Sequence, residues 1–145
     1  MTKKFVLDTS VLLAWRDNEA GTHIIDDVLE RSFLNTVNLG ELNYKLTEFG
    51  DDPKAFVADI RALGVQIVDF TSEDAALFPL LKERDAVARK KQRDAGTPGR
   101  KTGRLSLGDI CCLATAINQK AEVITGDMYW TEIDIPILIM TYKDA

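Results

Sequence analysis

Short apolar runs that stop abruptly at polar residues, each followed by apolar positions three and four apart, recur along this chain. "FVL" at 5–7, closed by Asp8, Thr9 and Ser10, reads as a buried strand, and "VLLAWRD" then takes helical spacing. "THIIDDVLERS" places a Thr22 cap before Ile25, Val28 and Leu29, which predicts a helix. "FLNTV" reads as a second strand, and "NLGELNYKLTEFG" as a helix closed by Gly50. "DDPKAFVADIRALG" repeats the grammar, with an acidic start, Pro53 in the first turn and Gly64 at the end, before a third strand in "VQIVDF". A long helical stretch, "TSEDAALFPLLKERDAVARKKQRDAG", is expected to bend or break near Pro79. "SLGDICCLATAINQKA" has the pattern of an apolar-faced helix, "EVITGD" of a fourth strand and "IPILIM" of a fifth, shorter one. There is no internal repeat. Alternation of this kind predicts an α/β fold: one domain spanning 1–145, with a mostly parallel central sheet of four to five strands flanked by helices.

Composition narrows the class. With 145 residues, 46% of them hydrophobic, the chain is long enough for one sizeable core and too short for two. No apolar run reaches the roughly 18 residues of a membrane span, and Asp8 breaks the first apolar stretch too early for a signal peptide, so the expected setting is soluble and cytoplasmic, without a membrane. The two cysteines are neighbours, Cys111 and Cys112, and frame neither a disulfide scaffold nor a zinc site; they read as core thiols. The single histidine, His23, has no serine or cysteine motif around it. Catalysis, if present, rests on carboxylates.

The net charge of −5 conceals an asymmetry. Lys82 to Arg104 carries nine of the 18 Lys and Arg residues against three acids, a balance of +6, and the rest of the chain stands at −11. Such a stripe suits either a phosphate backbone or a solvated helix face and loop. "GTPGRKT" lacks the glycine directly before lysine that a phosphate-binding loop requires, and follows a helix rather than a strand.

Four acids stand at junctions of the predicted elements. Asp8 follows the first strand directly, and Asp127 follows the fourth by one glycine; Glu41 and Asp109 come three places after Asn38 and Ser106, in "NLGE" and "SLGD". Each has a bland reading, the first two as turn residues and the last two as halves of capping boxes. Their conjunction points elsewhere. In an open parallel sheet ligands bind beyond the carboxyl ends of the strands, and several carboxylates gathered there need a cation or strong donors to stay ionised. Oxygen ligands of this kind suit Mg2+ or Mn2+.

"VLDTSVLL", "NLGEL", "LSLGDICCLATA" and "VITGD", in this order and in a chain of this length, resemble the PIN-domain ribonucleases, and among them the VapC-like toxins of type II toxin-antitoxin systems. Carried over residue by residue, the resemblance implies an acidic catalytic and metal site at Asp8, Glu41, Asp109 and Asp127, with Ser10 and Thr125 orienting it. It further implies a Mg2+- or Mn2+-dependent endoribonuclease that hydrolyses RNA to 5′-phosphate and 3′-hydroxyl ends, a homodimer, and a cognate antitoxin as partner. The basic loop "RDAGTPGRKTGR", residues 93–104, departs from the shared pattern; Arg100, Lys101 and Arg104 within it are candidate RNA contacts. Phosphoryl transfer through Asp8 is disfavoured, because Ser10 stands where a haloacid-dehalogenase-type phosphatase would carry a second Asp. The competing class is a non-catalytic PIN-like module that binds RNA or protein.

Overall fold

A computed structural model describes residues 2–96 and 103–144. Its centre is a five-stranded, all-parallel sheet in the order β3-β2-β1-β4-β5, with β1 Phe5–Leu7, β2 Ser32–Asn35, β3 Gln66–Val68, β4 Glu122–Thr125 and β5 Ile139–Thr141. The first strand therefore lies in the middle, pairing Phe5 with Ser32 on one side and Leu7 with Ile124 on the other.

Strands covered on both faces need apolar residues at every position, and β1 shows the consequence in three residues. Phe5 and Leu7 enter one core with Val11 and Leu12 of α1 (Thr9–Arg16), Leu42 and Leu46 of α3 (Thr36–Glu48) and Ile60 of α4 (Pro53–Ala62). Val6 points the other way, into a second core with Leu81 of α6 (Phe78–Ala95), Ile110, Cys112 and Leu113 of α7 (Leu107–Gln119), and the fully buried Trp130. Both cysteines are buried, as their place on an apolar helix face predicts.

Two local expectations are corrected. Thr22 does not cap a helix: its backbone is already helical, its hydroxyl donates to the Glu19 carbonyl at 2.6 Å, and only α2 (His23–Asp26) and a 3-10 turn (Leu29–Arg31) form in that stretch. The helix read from Asn38 starts earlier, at Thr36, with Asn35 as its cap, accepting from the Asn38 N–H at 2.7 Å. Asn38 thus lies inside the first turn, and "NLGE" is not a capping box. Near Pro79 the expected break is present: α5 (Ser72–Ala75) ends, and Pro79 sits in the first turn of α6, where its missing N–H costs nothing.

Two buried polar networks pin α7. Asp74 of α5 accepts from Thr115 Oγ1 (3.1 Å) and Asn118 Nδ2 (2.7 Å), and Asn35 Nδ2 donates to Thr115 Oγ1 and to the Cys111 carbonyl, both at 3.0 Å. On the other side, Asp85 of α6 accepts from the Tyr129 hydroxyl at 2.5 Å and from the Leu105 N–H at 3.2 Å, while the Gly103 N–H donates to Gln92 Oε1 at 2.8 Å. The approach to α7 is thereby strapped antiparallel along α6. A Cβ on Gly103 would overlap the Tyr129 ring, which explains a glycine at that point.

Tyr129→Phe should test the second network. It leaves the buried Asp85 carboxylate without its shortest donor, and chemical denaturation should show a loss of about 1–3 kcal/mol with an unchanged denaturant slope.

Candidate active site

At the carboxyl ends of the central strands β1 and β4 the chain places Asp8 and Asp127, and the start of α7 and the second turn of α3 bring Asp109 and Glu41 to the same edge. Asp8 is the anchor. It is 7% exposed, and its backbone N–H remains in the sheet, donating to the Ile124 carbonyl at 3.1 Å. Its side chain does not cap α1. Instead Oδ2 accepts from Ser10 Oγ at 2.6 Å and from Thr125 Oγ1 at 3.0 Å. Burial pushes this carboxyl above its usual range; the two hydroxyls pull it back, and the charge of Glu41 adds to the rise.

Thr125 does two jobs. Fully buried at the end of β4, its oxygen also accepts from the Asp127 N–H at 3.0 Å, so one hydroxyl sets both the Asp8 carboxylate and the turn that carries Asp127. Asp127 is exposed and accepts from the Tyr129 N–H at 3.0 Å, capping the 3-10 turn Met128–Glu132. Ser10 is exposed at the start of α1, with its hydroxyl turned onto Asp8.

Asp109 is held by a true capping box: the Ser106 hydroxyl accepts from the Asp109 N–H at 3.1 Å, and Asp109 Oδ2 accepts from the Ser106 N–H at 2.8 Å. The helix start fixes the carboxylate at the edge of the sheet. Burial, helped by the charges of Asp8 and Asp127, raises Asp109 to about 6 against the lowering effect of the Ser106 bonds. Beneath it the Cys112 thiol, wholly buried, is raised by burial and then by the charges of Asp8, Asp109 and Glu41. Three of the four acids thus make themselves felt at one sulfur.

Glu41 is reached by Asn38, which its motif cast as a helix cap, and by Thr9, to which the motif gave no role. Asn38 Nδ2 donates to its Oε1 at 2.6 Å, and Thr9 Oγ1 lies 3.3 Å from the same oxygen. The carboxylate seats against Gly108 of α7, where a Cβ would overlap it. Gly40, the matching glycine of "NLGE", has open space around its own Cβ position. The two glycines look alike in sequence, and only the packing of α3 on α7 tells them apart.

Among the described residues, none of the four acids has a Lys or Arg partner within 4 Å, and no three His, Cys, Asp or Glu side chains stand close enough to share one ion. Each acid is instead tied to hydroxyl, amide or backbone donors. Of the basic candidates, Arg104 is exposed beside the strap that leads into α7, and Arg100 and Lys101 lie outside the described residues.

Residues 5–136 match the family model of the PIN domain. No curated protein sequence is similar enough to count as a match. Among solved structures, the chain is similar to VapBC2 from Rickettsia felis bound to a promoter DNA fragment (15% identity, TM-score 0.60), covering 94% of this chain and 97% of that one. It is equally similar to a toxin-antitoxin complex from Klebsiella pneumoniae (16% identity, TM-score 0.60, 96% and 98% covered). DNA-bound VapBC from Salmonella typhimurium follows (18% identity, TM-score 0.59, 97% and 99% covered).

The raised Asp109 carboxyl has a pH signature. The folded chain holds its proton more tightly than the unfolded chain, so this group's contribution to stability is complete below about pH 4 and is lost as pH rises through about 6. Asp109→Asn, which keeps an oxygen for the Ser106 N–H, should flatten that part of the stability profile in chelator-treated protein. It should also melt above the native chain at neutral pH.

Proposed function

Because the chain belongs to the PIN domain family, we propose that its acidic edge is the active site of a divalent-metal-dependent endoribonuclease, the toxin of a toxin-antitoxin pair. The observation that carries the reading is an electrostatic cost. Asp8 and Asp109 are pushed up by burial and by neighbouring acids, yet no cationic side chain among the described residues relieves them. Structural carboxylates seldom stay unpaired in such company, whereas a functional group is held ready at this expense.

The donor set fits a hard cation. It consists of carboxylate oxygens with hydroxyls and an amide around them, without an imidazole or an accessible thiol. Asp8, Glu41, Asp109 and Asp127 would hold the ion, Mg2+ or Mn2+. When bound, it would supply an activated water and charge neutralisation for a phosphodiester. The chain's own contribution is placement. Ser10 and Thr125 keep Asp8 from turning away, the Ser106 box holds Asp109 at its helix start, and Asn38 with Gly108 seats Glu41. Asp127 is exposed, and its carboxylate is held by one backbone N–H.

RNA as substrate follows from the PIN-domain reading, and exposed Arg104, on the run that leads into α7, supports it as a cation suited to a phosphate. An antitoxin partner is supported by the likeness to VapBC and other toxin-antitoxin complexes over 94–97% of this chain. The chain is expected to form homodimers, and a small neighbouring reading frame should encode the inhibitor.

Cleavage of an RNA panel with and without Mg2+ or Mn2+ tests the assignment. Asp8→Asn should lose activity on the order of 100-fold or more while still binding RNA. Equal cleavage by both proteins would remove Asp8 from the active site, and binding by the native chain without any cleavage would favour a non-catalytic module. Titrating the neighbouring gene product into the assay should abolish cleavage if the toxin assignment holds.

A further inference from the structure

We infer that Asn38 is the positioning residue of Glu41, holding its carboxylate against the start of α7 where it would serve as a ligand to the cation; this rests on the metal-dependent reading above. Glu41 sits on an exposed stretch of α3, where a glutamate ordinarily samples many rotamers. Here it is held from three elements: Asn38 Nδ2 of α3 at 2.6 Å, Thr9 Oγ1 of α1 at 3.3 Å, and the cradle left by Gly108 of α7. The shortest of these contacts is a charge-assisted hydrogen bond from a side chain that is only 1% exposed.

The Asn38 amide is not needed to cap α3. That task falls to Asn35, whose Oδ1 accepts from the Asn38 backbone N–H. Both Nδ2 protons are instead committed to acceptors across a helix pair, one to Glu41 Oε1 and one to the Gly108 carbonyl at 3.1 Å. This fixes the orientation of the amide, because a flip would set Oδ1 against two acceptor oxygens. The consequence is visible at the other end of the group: Asn38 Oδ1 is buried without a hydrogen-bond partner. Buried acceptors are seldom left unmatched. A residue serving only to join α3 to α7 needs one donor and no orphaned oxygen. The second donor, spent on a carboxylate at the edge of the acidic site, accounts for an amide at this position.

Residues that orient metal-binding carboxylates alter metal affinity without touching the ion. Mn2+ binding, followed by the electron paramagnetic resonance of the free ion, should therefore weaken about 10-fold or more in Asn38→Leu. In a Glu41→Gln background the same substitution should change affinity less than twofold, since the group through which Asn38 acts has lost its charge. A merely structural role predicts the same loss in both backgrounds, and that result would overturn the inference. Unchanged Mn2+ affinity in Asn38→Leu beside a binding native chain would overturn it alone. A native chain that takes up no Mn2+ would overturn the metal-dependent reading together with this one. Should Asn38→Leu fail to fold, Asn38→Ser, which removes the reach of the amide without adding bulk, runs the same cycle. In the metal-free protein the Asn38 side-chain amide protons should exchange slowly and shift on Glu41→Gln. Fast exchange with no shift would show that the clamp is absent.

Discussion

A carboxylate buried at the end of the central strand is the constraint around which this edge of the molecule is organised. Asp8 gives its N–H to the sheet and its oxygen to Ser10 and Thr125, so it belongs to the framework and to the candidate site at once. Every other acid at the edge is placed by a device that also has a structural use: a capping box for Asp109, a turn cap for Asp127, an interhelical amide for Glu41. Negative charge can be concentrated there because each group is anchored locally before it is asked to face the others. Burial above all, and the neighbouring charges after it, hold the Asp8 and Asp109 carboxyls raised.

The parallel sheet makes such an arrangement possible. Its strands all end on the same side, and β1 and β4, which carry Asp8 and Asp127, are direct neighbours although more than 110 positions separate their residues. Helices α3 and α7 enter from opposite cores, one packed with Leu42 and Leu46 and the other with Ile110 and Leu113, and meet where the Gly108 carbonyl takes the Asn38 amide. The position of Glu41 relative to Asp109 is thus set by helix packing rather than by any local motif.

This explains what could be read from the chain alone. The strands were legible because a sheet covered on both faces demands uninterrupted apolar runs. The Ser106–Asp109 box was legible because capping is local, and the four acids because junctions of strands and helices are marked by turn residues. Asn35 and Asn38 were confused for the same reason that capping is usually readable: both are asparagines ahead of good helix formers, and only the end of β2 decides which one stays outside the helix. The roles of Gly108 and of the Asn35, Asp74, Thr115 and Asn118 network depend on contacts between residues 41 to 80 positions apart, and no periodicity records them.

Cys112 lends the arrangement one more property. A thiol attacks oxidants, electrophiles and disulfides only as its thiolate, and here that form is opposed by complete burial and by the negative charges of Asp8, Asp109 and Glu41. Its neighbour Cys111 is buried as well and shifted in the same direction, with Glu41 and Asp74 adding to the effect of burial. The chain's two sulfhydryls are therefore chemically silent in the folded state. Peroxide or glutathione disulfide reaches them only after the core has opened, so their alkylation reports unfolding.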